Sequence, residues 1–367
     1  MENQNEAINF GRSLIVPSVQ ELAKQSITKI PPRYVRQDHQ KPLLTSSDHT
    51  STLSVPVIDL HTLFATASGS STYSSELNKL HTAAKEWGFF QVINHGISES
   101  LLEDFKREVF SFFKLPIEEK QKLWQEEDSQ EGFGQLFVVS DEQKLDWCDL
   151  FYIFTLPHNL RKSRLFQNLP PILRLNVWKQ KAASEKADKM TKSSPTILQT
   201  KKSHKLLLSI QNGKNGQREV GSLHCGNEKA SKSHLGGLTI LYQLNETEGL
   251  QVRKNGNWVS VKPLPNALVV NIGDAMEIIS NGVYKSIEHR VTVQSNKERL
   301  SVATFYVPNM TKELGPAHSL VAQHKVANFQ RVPFVEYYKG FFARKLEGKS
   351  NLEFMRLEVE ELKEKVV

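Results

Sequence analysis

The chain has 367 residues, 39% of them hydrophobic and 24% charged, with a formal net charge of +7. That length and composition describe an ordinary globular protein with a sizeable core, here expected as one large body with an N-terminal annex. No apolar run approaches the roughly 18 residues of a membrane span, and Met1 to Glu6 carries acidic and amide residues where a secretory leader would be basic. Two cysteines, Cys148 and Cys225, cannot build a disulfide framework, so a cytoplasmic protein without a membrane partner is expected. Between Lys179 and Leu241 twelve Lys and Arg face four acids, a net +8, so the basicity belongs to one stretch. That stretch has no aromatic residue to stack on a base, and no nucleic-acid partner is expected.

In chain order, residues 1–50 read as a polar arm with one short helix near Val19 to Gln25. Val55 to Leu60 reads as an edge strand because of Pro56. Leu77, Leu80, Ala84 and Trp87 recur at helical spacing up to a C-cap at Gly88, and Phe89 to Gly96 follows as a strand closed by a turn. Helices are expected over Glu99 to Phe113, stopped by Leu115-Pro116, and over Ile117 to Trp124. Asp146 to Leu156 reads as a strand and Pro171 to Trp178 as the start of a helix. Short strands then follow at Gly237 to Leu244, Leu250 to Val252, Trp258 to Val261, Ala267 to Ile272, Lys285 to Val293 and Leu300 to Val307, with Asn255-Gly256 as a hairpin turn. Phe334 to Leu346 and Asn351 to Lys365 read as closing helices.

Five segments carry a common signature: Glu86-Trp87-Gly88-Phe89-Phe90-Gln91-Val92-Ile93-Asn94-His95-Gly96, Pro263-Leu264-Pro265-Asn266-Ala267, Asn271-Ile272-Gly273-Asp274, Ser286-Ile287-Glu288-His289-Arg290 and Glu298-Arg299-Leu300-Ser301. In this order the chain resembles the plant Fe(II)- and 2-oxoglutarate-dependent dioxygenases over roughly residues 10–175 and 235–355. Val16 to Ala23 and Glu142 to Trp147 are similar to the senescence-related and alkaloid O-demethylase-like subgroup. The resemblance implies a mainly β fold with flanking helices: a double-stranded β-helix, or jelly-roll, core plus an N-terminal α/β annex. It also implies Fe(II), 2-oxoglutarate and O2, with ascorbate as reductant, and a small-molecule substrate oxidised by hydroxylation or demethylation.

In such a site two histidines and a carboxylate hold one face of the metal and leave three positions open. By the resemblance His289 is the distal histidine ligand, and Arg299 with Ser301 grips the far carboxylate of 2-oxoglutarate. A planar guanidinium fork suits a carboxylate. Arg299 as a surface residue at a strand end, and His289 as a structural histidine, are the plain alternatives. His95 reads as structural.

The pattern breaks before Gly237. Lys232 and His234 stand where the family has the histidine and aspartate of His-x-Asp. His234 can serve as a metal ligand only as His-x-Gly, with Leu235 and Gly236, after a two-residue slip. Glu219 and Glu228 have no positional support as substitutes. The family's Asn-Tyr-Tyr-Pro-Pro-like strand is absent by sequence, and Lys201 to Lys205 and Asn212 to Gly216 read as solvated loop. A mis-joined reading of the gene, decay into a catalytically inactive binding protein of the same fold, and a functional rearrangement all remain open. The expected division is an arm at 1–50, an annex at 51–175, an anomalous basic segment at 176–236, the C-terminal jelly-roll part at 237–315 and closing helices at 316–367. Oligomeric state is not legible.

Overall fold

The computed structural model describes residues 13–25, 31–35, 53–65, 69–126, 129, 131–135, 138, 140–156, 161–171, 173–174, 203–211, 224–225, 235–294, 297–343 and 350–357. Of the expected Pro171 to Trp178 helix, Pro171, Leu173 and Arg174 are described and helical; its remainder, the 351–365 helix beyond 357 and most of the 176–236 segment fall outside the described residues.

Fourteen strands are described: β1 (Val57–Asp59), β2 (Phe89–Ile93), β3 (Gly132–Gly134), β4 (Cys148–Leu156), β5 (Ser203–Gln211), β6 (His224–Cys225), β7 (Leu238–Gln243), β8 (Leu250–Lys254), β9 (Asn257–Ser260), β10 (Leu268–Ile272), β11 (His289–Thr292), β12 (Arg299–Val307), β13 (Glu313–Leu314) and β14 (Val332–Pro333). Eight form one sheet in the order β1-β2-β10-β7-β12-β5-β4-β3, and four form a second in the order β6-β11-β8-β9. Apart from the parallel β1–β2 edge, the ladders of both sheets are antiparallel. The chain threads back and forth across the large sheet as a jelly roll does.

Alternation of side chains assigns the two faces of the large sheet. Leu206, Leu208 and Ile210 of β5, Leu300 and Val302 of β12, and Phe151 and Ile153 of β4 point to one side. They pack there on Leu102, Phe105, Val109, Phe112 and Phe113 of the helix Glu99–Lys114. That helix forms because Ser98 caps it and its apolar residues recur at three- and four-residue spacing, and it stops at Pro116 as expected. Each of its fully buried phenylalanines contributes roughly 1.5–3 kcal/mol relative to exposure. The opposite face of the sheet is turned toward the second sheet.

The structure corrects the sequence reading at β5. Ser203, His204 and Lys205 belong to a nine-residue strand that pairs with both β12 and β4, not to a solvated loop. The strand was hidden because Ser209 and Gln211 interrupt the apolar alternation on one face while Leu206, Leu208 and Ile210 preserve it on the other. Lys201, Lys202 and Asn212 to Gly216 lie outside the described residues.

Elsewhere the expected elements appear with shifted ends. The first annex helix starts earlier, at Ser71, and closes through a π-turn over Ala83–Trp87 onto Gly88. Gly88 has φ +58°, and a Cβ there would lie 2.1 Å from the Lys285 carbonyl, so glycine is required twice over. The Ile117 helix ends at Gln121 and the 285–293 strand shrinks to β11. Short helices at Leu60–Ala65, Ser163–Asn168, Asp274–Ile279 and His318–His324 were not anticipated, being too short to show a period. No described helix is long and apolar enough to cross a membrane.

One buried carboxylate is among the contacts that fasten the arm to the body, beside the Ser13 hydrogen bonds and the packing of Val16, Val19 and Tyr34 on Trp147. Asp149, fully buried on β4, accepts hydrogen bonds from the Ser18 hydroxyl at 2.7 Å and from the backbone N–H groups of Val19 and Gln20 at 2.8 Å each. Burial pushes its carboxyl upward in pKa, against the opposing pull of these donors and of Lys120. Asp149→Ala strands three donors and is expected to cost about 3 kcal/mol in urea unfolding, with earlier proteolytic release of the arm.

Candidate active site

The inward face of the large sheet meets the second sheet around a cavity of about 80 Å³. Register fixes the layers of its wall. At one end Arg299 pairs with Gln211, and Ser301 pairs with both Ser209 and Gln243. Val269, Leu241, Ala303 and Leu207 form an apolar middle row. At the far end Phe89, Asn271, Thr239 and Phe305 stand in one row. From Ser301 to Phe305 is four residues, or about 13 Å of strand.

Arg299 is 2% exposed, which rules out the surface alternative. Its Nη1 donates to Gln211 Oε1 at 3.1 Å and to Ser301 Oγ at 3.3 Å, and its Nη2 donates to Gln243 Oε1 at 2.9 Å. Gln211 Nε2 in turn donates to Ser209 Oγ at 3.0 Å. Three adjacent strands therefore orient one guanidinium, and a hydroxyl lies beside it. A sequence scan could not have found Gln211 or Gln243, because only the register of β5 and β7 against β12 brings them to Arg299.

His289 enters from the second sheet. It is 6% exposed, and its ring lies against Phe89 with centroids 4.9 Å apart. Its Nδ1 is 3.1 Å from the Ile287 carbonyl, which can only accept, so Nδ1 is the donor in that contact. A ring held through Nδ1 in this way can offer Nε2 to a metal. The next residue, Arg290, points to the outer side of the second sheet, where Gln251 Oε1 accepts from its Nε at 2.8 Å and the Trp258 ring lies 4.2 Å from the guanidinium carbon.

Asn271 and Thr239 were not singled out as site residues. They are 3% and 2% exposed, and Asn271 Nδ2 and Thr239 Oγ1 have no hydrogen-bond partner among the described residues. Two such atoms cost roughly 1–3 kcal/mol each when left so. His95 lies apart from the cavity-lining residues: its Nε2 is 2.8 Å from the Asn266 carbonyl and its Nδ1 accepts from Ile97 N–H, a satisfied turn histidine.

Two family profiles match the chain: the non-haem dioxygenase in morphine synthesis N-terminal family over residues 55–181, and the 2OG-Fe(II) oxygenase superfamily over 223–308. Protein SRG1 of Arabidopsis thaliana is 45% identical across 94% of this chain and 97% of its own. The chain belongs to the plant 2-oxoglutarate- and Fe(II)-dependent oxygenases. Oxoglutarate-dependent flavonoid 7-O-demethylase 1 of Ocimum basilicum is 44% identical over 96% of this chain and 94% of its own, and codeine O-demethylase of Papaver somniferum 41% over 95% and 98%. The crystal structure of JOX2 in complex with 2OG, Fe and JA superposes with a TM-score of 0.77 at 28% identity, over 95% of this chain and all of that one. The oxygenase match resumes at residue 223, well upstream of Gly237, so the family pattern does not restart as late as the sequence alone suggested.

For the 2-oxo acid the donor set fits: a buried guanidinium and a neighbouring hydroxyl at one end of the cavity. For iron the described residues supply a partial fit. No three His, Cys, Asp or Glu come together among them, and of the ligands expected from the sequence they place His289 at the cavity. His234 and Lys232 lie outside the described residues. β6 runs beside β11, and its residues His224 and Cys225 pair with Thr292 and Val291.

Gly249 guards the arginine. A Cβ there would stand 2.6 Å from the Thr292 carbonyl and 3.1 Å from Arg299 Cδ. Gly249→Ala is expected to lose about 1–3 kcal/mol in urea unfolding, because neither neighbour can retreat in a packed wall.

Proposed function

We propose that this oxygenase oxidises a small plant specialised metabolite, by hydroxylation or oxidative demethylation. In this reading Arg299 and Ser301 hold the far carboxylate of 2-oxoglutarate, and His289 is one iron ligand. The observation that carries it is convergence: a buried guanidinium from one sheet and an imidazole from the other line the same cavity, in a chain matched nearly end to end by O-demethylases.

The chain's own residues have separable tasks. Gln211 and Gln243 hold the Arg299 fork before the co-substrate arrives, so less rotamer freedom is lost on binding. Ser301 offers its hydroxyl beside that fork. Phe89 and the Ile287 carbonyl fix the orientation of the His289 ring. The apolar middle row keeps water from the reacting end. Iron with bound 2-oxoglutarate and O2 would supply an oxidant by oxidative decarboxylation to succinate and CO2, with ascorbate keeping the metal reduced. A second metal donor is drawn from outside the described residues, with His234 the sequence's candidate.

The test is succinate release from 2-oxoglutarate with Fe(II) and ascorbate. Release is expected, and it disappears in His289→Ala. Arg299→Ala is expected to weaken 2-oxoglutarate binding by roughly 2–5 kcal/mol, measured by calorimetry. Folded protein that binds 2-oxoglutarate yet releases no succinate would instead be a binding protein of the same fold, the outcome that Lys232 and His234 in the His-x-Asp positions favour.

A further inference from the structure

We propose that Asn271 and Thr239 form a second polar subsite in the barrel, one that binds the C1 carboxylate of the 2-oxo acid. The inference rests on the functional reading above, in which Arg299 takes the opposite carboxylate.

Three observations carry it. First, Asn271 and Thr239 are register partners on β10 and β7, so their side chains project from adjacent strands on the same face. Both line the cavity. Second, among the described residues the amide Nδ2 and the hydroxyl Oγ1 are buried without a partner, while the other polar side chains on the cavity wall, Ser209, Gln211, His289, Arg299 and Ser301, each make a hydrogen bond. A buried donor pair is costly unless something accepts from it. Third, their position along the barrel is defined. Asn271 pairs with Phe89, and the Phe89 ring lies against His289. The pair therefore stands at the histidine end, with the apolar row of Val269, Leu241 and Ala303 between it and Ser301.

A five-carbon 2-oxo dicarboxylate gripped at Arg299 sends its 2-oxo acid end along this axis toward His289. An amide N–H and a hydroxyl are both able to donate to a carboxylate oxygen there. The apolar row suits the two methylene groups between the carboxylates. The cavity thus carries polar groups at two levels and an apolar surface between them, the same order as in the ligand.

Two ligands separate the ends. 2-Oxoglutarate has both carboxylates; 4-oxopentanoate is the same chain with a methyl group in place of the C1 carboxylate. Ligand-detected NMR titration in metal-free buffer would measure both on the full chain and on Thr239→Val, Asn271→Ala and Arg299→Ala. The first two variants are expected to weaken 2-oxoglutarate about tenfold each, a charge-assisted hydrogen bond lost, and to leave 4-oxopentanoate within about twofold. Arg299→Ala is expected to weaken both ligands. Thr239→Val keeps the side-chain shape and removes an unpartnered hydroxyl, so its folding is expected to be intact, and it decides the matter if Asn271→Ala does not fold. Unchanged 2-oxoglutarate affinity in Thr239→Val, or equal losses for both ligands, overturns the subsite while the Arg299 result stands. Arg299→Ala without effect on either ligand, or a wild-type chain that binds no 2-oxoglutarate, defeats the functional reading and the subsite together.

Discussion

A guanidinium does not give up its proton at any pH at which this chain stays folded, so burying Arg299 commits the whole barrel to accommodating a permanent positive charge. The cost of taking such a charge out of water is several kcal/mol even after relaxation. The fold answers with carbonyl oxygens from both flanking strands, Gln211 on β5 and Gln243 on β7. Those amides are neutral: they orient the fork without cancelling its charge. The arrangement is thus directional, set for a planar anion, and it exists only because β12 lies between β5 and β7 in the sheet.

That placement depends in turn on strict alternation. Along β12, Arg299, Ser301, Ala303 and Phe305 face the cavity while Leu300 and Val302 seat against the Glu99–Lys114 helix. A slip of one residue would exchange the two sets, exposing the charge to a hydrocarbon layer and the leucine to the cavity. The phenylalanine-rich contact under the sheet therefore specifies register at the site, although none of those phenylalanines touches it. Core packing and ligand geometry are two faces of the same constraint.

The sequence carried much of this and missed the rest for identifiable reasons. Arg299, Ser301 and His289 were legible because their motifs are contiguous, and the hairpin at Asn255-Gly256 because both residues take positive φ, as that turn demands. β5 was not legible. Its inward residues are Leu207, Ser209 and Gln211, without the aromatic residues that usually announce a central strand, and its lysine-rich surroundings suggested loop. Asn271 was read only as part of a motif, and Thr239 not at all, because neither burial nor the loss of a hydrogen-bond partner leaves a trace in linear order. The arm was foreseen; its attachment through Asp149, over a hundred residues away in the chain, was not.

That attachment has a practical corollary. Asp149 holds Ser18, Val19 and Gln20 from the outer side of β4, and the adjoining residue, Leu150, is part of the cavity lining. One strand thus serves as the back plate of the pocket and as the cleat for the leading segment of the chain. An expression design that trims the chain past Ser18, or fuses a bulky tag close to it, would remove a brace from the pocket wall while leaving every residue of the pocket in place. Affinities measured on such shortened proteins would describe a loosened cavity, and the leading residues belong in any preparation meant for ligand screening.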